Sequence, residues 1–213
     1  MMIEHFRYAL YLVVCIAFST ANAGSYEDFF QAVNREDGAT IKALVSRGFD
    51  VNARSPEGQT ALHLALRDQS PRVTRSLWDV PALDVNAVNA NGETPLMMAA
   101  LRGELEWAGR LIERGAKVHQ EGWSALHYAA AGPEPKIVVM LLDHGASIDA
   151  RSPNKTTPLM MAARYGAEPS VDLLLSRGAD KRLRNDSDMD VAAFAIAGGR
   201  ERLVGRLGTS PPR

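Results

Sequence analysis

Thr94-Pro95-Leu96-Met97-Met98-Ala99-Ala100 returns letter for letter as Thr157-Pro158-Leu159-Met160-Met161-Ala162-Ala163. Looser versions are Thr60-Ala61-Leu62-His63, Ser124-Ala125-Leu126-His127 and, faintly, Asp190-Val191-Ala192-Ala193. The first residues of these phrases, in chain order, are 34, 30, 33 and 33 positions apart. A period near 33 marks a small supersecondary unit stacked in a row, which places function on an extended surface rather than in a single pocket.

Each unit parses as two short helices and a connecting finger. In the unit 156–188, Thr156 to Tyr165 carries Leu159, Met160 and Ala162-Ala163 at helical spacing, and Gly166 ends that helix. Pro169 opens a second helix in the first turn, where its missing N–H is harmless, and Val171, Leu174 and Leu175 continue it to Gly178. Pro71 and Pro135 open equivalent helices, and Gly48, Gly115 and Gly145 close them. Ala65, Ala99-Ala100, Ala129-Ala130 and Ala162-Ala163 predict close approach between neighbouring units. Neither helix is long enough to stand alone in water, so stability has to come from stacking.

These residues resemble the ankyrin repeat family. The Thr-Pro-Leu-Met phrases and Ser124-Ala125-Leu126-His127-Tyr128-Ala129-Ala130 look like its first-helix signature. Leu141-Leu142-Asp143-His144-Gly145-Ala146 and Leu174-Leu175-Ser176-Arg177-Gly178-Ala179-Asp180 look like its second-helix ending. Asp50-Val51-Asn52-Ala53 and Asp84-Val85-Asn86-Ala87 resemble the start of its finger. The resemblance implies an all-α, curved solenoid of about six helix-turn-helix units with β-hairpin fingers over 24–207. The approximate units are 25–57, 58–91, 92–121, 122–155, 156–188 and 189–207, with a tail at 208–213. The first and last are atypical, as capping units must be, with Asp28, Gln31, Arg35, Arg200, Arg202 and Arg206 expected as solvated outer-face charges.

Residues 1–23 read as a separate instruction. His5 and Arg7 lie in a short leading region, an apolar core runs from Ala9 to Phe18, and Ala21-Asn22-Ala23 offers small residues to a signal peptidase, so cleavage is expected after Ala23. The apolar run is too short for a hydrocarbon core of roughly 30 Å. Cys15 is the only cysteine; Val14 precedes it and Ile16-Ala17-Phe18 continue the apolar core, which does not fit a lipidation site. Cleavage then leaves a chain without disulfides, thiolate ligands or a cysteine nucleophile. A net charge of −1 over 213 residues supplies no broad positive field for nucleic acid or an anionic membrane.

Candidate chemistry is sparse. His63 and His127 each follow a hydroxyl residue by three positions at a helix start, and Met97 and Met160 occupy the same repeat position; methionine can neither transfer protons nor bind zinc there, so the position is structural. His119 and His144 lack metal-ligand spacing, and no nucleophile elbow or phosphate-cradling loop occurs. No catalytic residue, metal or cofactor is expected. Trp78 and Trp107 fall on second helices, at positions matched to Val138 or Val171 and Leu142 or Leu175, and are expected in the core. Lys181-Arg182-Leu183-Arg184 is surrounded by Asp180, Asp186, Asp188 and Asp190 and reads as a solvated finger.

Trp123 differs. It replaces Gln59, Glu93 and Thr156, a polar set, so the position is expected to be exposed, either as a binding anchor or in a local packing role. It also adjoins a short finger: Gly48 to Thr60 and Gly145 to Thr157 are twelve residues, Gly115 to Ser124 only nine. That gap is either functional or a tolerated loop deletion. The resemblance implies binding through the finger tips and the concave face of the first helices. Position by position this gives Glu57, Gln59, Arg67 and Asp68; Asn91, Glu93, Leu101 and Arg102; Glu121, Trp123 and Tyr128; and Asn154, Thr156, Arg164 and Tyr165. Tyr128 lies within the helix, where burial is the alternative.

The expected function is non-catalytic protein binding outside the cytoplasm by a monomer, with the periplasm first and secretion second. An inhibitor or immunity protein that neutralises a toxic effector enzyme is the leading role. The alternatives are a periplasmic scaffold or stress-protection factor for a resident enzyme, and a secreted effector that binds a host protein.

Overall fold

A computed structural model describes residues 24–208. The expected export signal, with Cys15 and the Ala21-Asn22-Ala23 site, lies outside the described residues, as does the tail beyond Gly208. The described residues divide into two compact units, 24–65 with 70–83, and 66–69 with 84–208.

The first unit holds a helix over 24–34 (α1), α2 (Gly38–Ser46), most of α3 (Ala61–Arg67) and α4 (Pro71–Trp78), with α2 packed on α4. Its core gathers Phe29, Ile41, Leu62 and Leu77. Phe29 meets Phe30 edge-on at 5.4 Å and Phe49 at 4.6 Å, so aromatic packing replaces the signature phrase that α1 lacks. Asp37 caps α2 by accepting from the Ala39 and Thr40 N–H groups. Asp28, Gln31 and Arg35 are exposed.

The second unit carries first helices α5 (Pro95–Arg102), α7 (Ala125–Ala131), α9 (Pro158–Tyr165) and α11 (Val191–Ala197), with second helices α6 (Leu105–Glu113), α8 (Pro135–Asp143) and α10 (Glu168–Ser176). A 3-10 turn (Glu201–Leu203) and α12 (Val204–Leu207) close it. α5 packs on α7, α7 on α9 and α9 on α11, while α8 touches both α6 and α10, giving two helical layers. The repeated phrase explains the first layer. Thr94 Oγ1 accepts from the Met97 N–H while Met97 Sδ accepts from the Thr94 N–H; Thr157 and Met160 do the same. The alanines behind each cap are fully buried and let the helices approach closely.

Gly132 and Gly166 end α7 and α9 at φ −80° and −79°, conformations open to any residue. Their role is close approach: a Cβ on Gly132 would sit 2.6 Å from the Ala100 carbonyl oxygen, and one on Gly166 would overlap that of Ala130. The second-helix glycines do turn left-handed, as Gly178 does at φ +90°.

Several expectations need correction. The fingers are turns rather than strand pairs: Ser55 to Gln59, Asn89 to Glu93, Ser152 to Thr156 and Asn185 to Met189 each close with a backbone hydrogen bond of 2.8–3.0 Å. The isolated Arg54–Thr60 bridge is the only strand-like pairing among the described residues. A hairpin two or three residues deep has too little pairing to build more. Trp107 is buried, but it takes the place of Ile137 and Ser170 rather than Val138 and Val171. Trp78 is half-buried, as Leu142 and Leu175 are. Arg200 is no solvated charge: its Nη1 donates to the carbonyls of Ala162, Ala163 and Gly166 at 2.8–3.2 Å, so it caps the C-terminus of α9. Arg202 and Arg206 are both exposed, as expected of the outer face, and both pair with Glu168, Arg206 with Asp172 as well. In the basic finger, Arg182 pairs with Asp180, and Arg184 with Asp188 and Asp190.

Candidate functional site

Burial separates the expected surface into scaffold and contact residues. Thr156 is buried, contrary to expectation: its carbonyl faces His127 Nε2 at 3.0 Å and its N–H donates to Ser152 Oγ at 2.9 Å. The Ser124 N–H donates to His127 Nδ1, so the network assigns the neutral Nε2–H tautomer, which bridges α7 to the next finger. Burial holds the His127 pKa below the usual histidine value. His63, equally buried, lies 2.8 Å from Thr60 Oγ1. Both histidines are structural, as their exchange with methionine implies.

Glu93 is half-buried rather than open. It accepts from the Asn89 side-chain amide and from the Tyr128 hydroxyl, both at 2.8 Å. Burial and then Glu93 push the Tyr128 phenol far above its ordinary range, so it stays a donor. Arg67 grips Asp68 through two bonds of 2.8 Å, which lowers the Asp68 pKa. Asn91 and Glu121 are exposed in their fingers, and so is Asn154, which accepts from Ser152 Oγ. Glu57 and Gln59 lie in the first of the two compact units; Glu57 is exposed and accepts from Ser55 Oγ at 2.8 Å.

Trp123 is half-buried, its ring edge-on to His127 at 5.2 Å. Local packing and a contact role therefore coexist, because its remaining face lines a hollow of about 410 Å³ with Leu101, Tyr128, Ala131, Met161 and Tyr165. Four expected contact residues thus converge on one pocket, although the repeat period pointed to an extended surface. Tyr165 is 57% exposed, unusually open for a large aromatic side chain, and Arg164 stacks over its ring at 5.0 Å. Ala131 and Met161 were not anticipated. Ala131 was legible as an alanine seven residues into its phrase, where the neighbouring units place Leu101 and Arg164.

The family model for ankyrin repeats in three copies matches residues 29–121 and 110–185. The chain belongs to the ankyrin repeat family. Ankyrin repeats are protein-binding modules, which suits an apolar hollow rimmed by arginine and tyrosine. Relatives include the B-cell lymphoma 3 protein homolog of Mus musculus, 33% identical over 68% of this chain and 34% of its own length. Protein glp-1 of Caenorhabditis elegans is 29% identical over 77% of this chain and 14% of its own. Human SH3 and multiple ankyrin repeat domains protein 2 is 29% identical over 77% of this chain and 9% of its own. The chain thus spans about a third or less of each of these relatives. Among the described residues no three His, Cys, Asp or Glu side chains cluster as metal ligands, and no helix is long and apolar enough to cross a membrane.

Proposed function

We propose that this ankyrin repeat chain is a non-catalytic inhibitor of the immunity type, which acts in the periplasm and neutralises a toxic effector enzyme by binding it through the finger tips and the first-helix face. The observation that carries the binding surface is the convergence of Leu101, Trp123, Tyr128 and Tyr165 on one apolar hollow, since buried aromatic anchors supply most of the energy of compact interfaces. The export-signal pattern of residues 1–23 and the cysteine-free remainder support the location.

The test is affinity capture from periplasmic extract with the mature protein, beside a Trp123→Ala, Tyr165→Ala double variant. One enzyme held at nanomolar affinity and silenced by the wild type but not the variant is the expected result. Equal capture by both refutes the surface. Weak capture of many resident proteins favours the scaffold or stress-protection role. Fractionation that finds residues 1–23 intact in the cytoplasm overturns the location.

A further inference from the structure

The hollow on the first-helix face exists because one unit is underfilled. Ala131 stands where the third unit carries Leu101 and the fifth Arg164, and Trp123, Tyr128, Met161 and Tyr165 complete the walls. An apolar cavity of about 150 Å³ is enough to hold benzene, and drug-sized sites begin near 300 Å³. At about 410 Å³ the hollow suits one large side chain and part of its neighbour.

The charges around it are not symmetric. Glu93 is already committed to Tyr128 and Asn89. Arg102, exposed and adjacent to Leu101, and Arg164, over Tyr165, take part in no ion pair among the described residues. Asp68, whose field includes Arg102, is neutralised by Arg67. The exposed Glu121, two residues before Trp123, is the opposing carboxylate. A cationic ligand would meet Arg164 on the Tyr165 ring and the field of Arg102, from the helix that supplies Leu101.

We propose that this hollow is the specificity pocket for one large apolar side chain, phenylalanine or leucine, in a partner segment where carboxylates flank that residue. The proposal rests on the protein-binding reading above and narrows it to a partner chemistry. Burial of the apolar side chain supplies affinity, while Arg102 and Arg164 fix the direction of the segment and speed its arrival.

The test uses purified mature protein and three amidated peptides, with phenylalanine between glutamates, phenylalanine between lysines, and alanine between glutamates, titrated by nuclear magnetic resonance. The first is expected to bind at least about tenfold more tightly than the others. Ala131→Leu, which restores the side chain of Leu101 at the same register, is expected to weaken it at least about tenfold with an unchanged circular dichroism spectrum. Arg164→Gln keeps the hollow open and should reduce both affinity and its salt dependence. Equal or tighter binding of the lysine peptide, an unchanged affinity in Ala131→Leu, or no binding of the first peptide at millimolar concentration overturns the proposal. Peptide binding needs no natural partner, so it can fail while capture from extract succeeds, and the two readings fail separately.

Discussion

Replacing Gly166 with alanine tests whether the first helices are locked together by backbone contact. Gly166 sits at φ −79° and ψ 174°, which alanine adopts without strain, so the cost is purely steric. The new Cβ would overlap the Ala130 carbonyl oxygen and lie 3.0 Å from Ala162 Cα and 3.1 Å from the Ala130 carbonyl carbon. All three are main-chain atoms of α7 and α9, and no side-chain rotation relieves them. Relief requires the two helices to part, at the expense of contacts that bury Leu126, Ala129, Ala130, Leu159 and Ala162. Overpacking of this kind costs about 3 kcal/mol. For a chain of this length that lowers the melting temperature by about 6–12 °C, at about 2–4 °C per kcal/mol.

Two other glycines isolate the cause. Gly178 has φ +90° and no atom within 4 Å of an added Cβ, so Gly178→Ala meets only the left-handed penalty of about 1 kcal/mol. Gly109 lies inside α6 with ordinary φ, and its Cβ would touch Met140 Cε at 3.6 Å, so Gly109→Ala is expected to stabilise by about 0.5–1 kcal/mol. Urea unfolding followed by circular dichroism should order the variants Gly109→Ala, wild type, Gly178→Ala, Gly166→Ala from most to least stable. A Gly166→Ala midpoint at or above that of Gly178→Ala would refute the claim that main-chain contact sets the spacing of the first helices.

Three further outcomes are open to measurement. His127 is buried and neutral, with its folded pKa below the unfolded 6.5, so the unfolded state binds the proton first. Stability should be insensitive to this group above pH 6.5 and fall as pH drops below it, by at most about 1.4 kcal/mol per pH unit, and His127→Met should flatten that part of the pH–stability curve. Ser170 fills the apolar slot of Val73, Trp107 and Ile137, and its buried hydroxyl has no hydrogen-bond partner among the described residues. Ser170→Ala should therefore raise the urea midpoint, by about 1 kcal/mol of stability. Arg200→Met removes a cation from three carbonyls and should cost about 1 kcal/mol, with faster amide hydrogen exchange appearing first in α9 and α11.

The scaffold was legible because it is periodic. Met97 and His127 at one repeat position can share only a task both perform, and the structure shows it: each accepts the N–H of the capping residue three positions earlier. What was illegible depends on which carbonyl or ring lies across a repeat boundary. Thr156 looked like another polar finger residue beside Gln59 and Glu93, but His127 Nε2 reaches its carbonyl and draws it inward. Arg200 looked like a solvated charge because sequence does not reveal that three carbonyls at the end of α9 converge on it. The hollow is a third case, since it is made by something missing. Trp123 and Tyr165 stand out in any reading, whereas Ala131 is ordinary until set beside Leu101 and Arg164, and a cavity is written as a small residue where its neighbours are large. Period therefore identifies what every unit must do, and the residues that break it without harming the stack, Ala131 first among them, are where a partner can be told from its competitors.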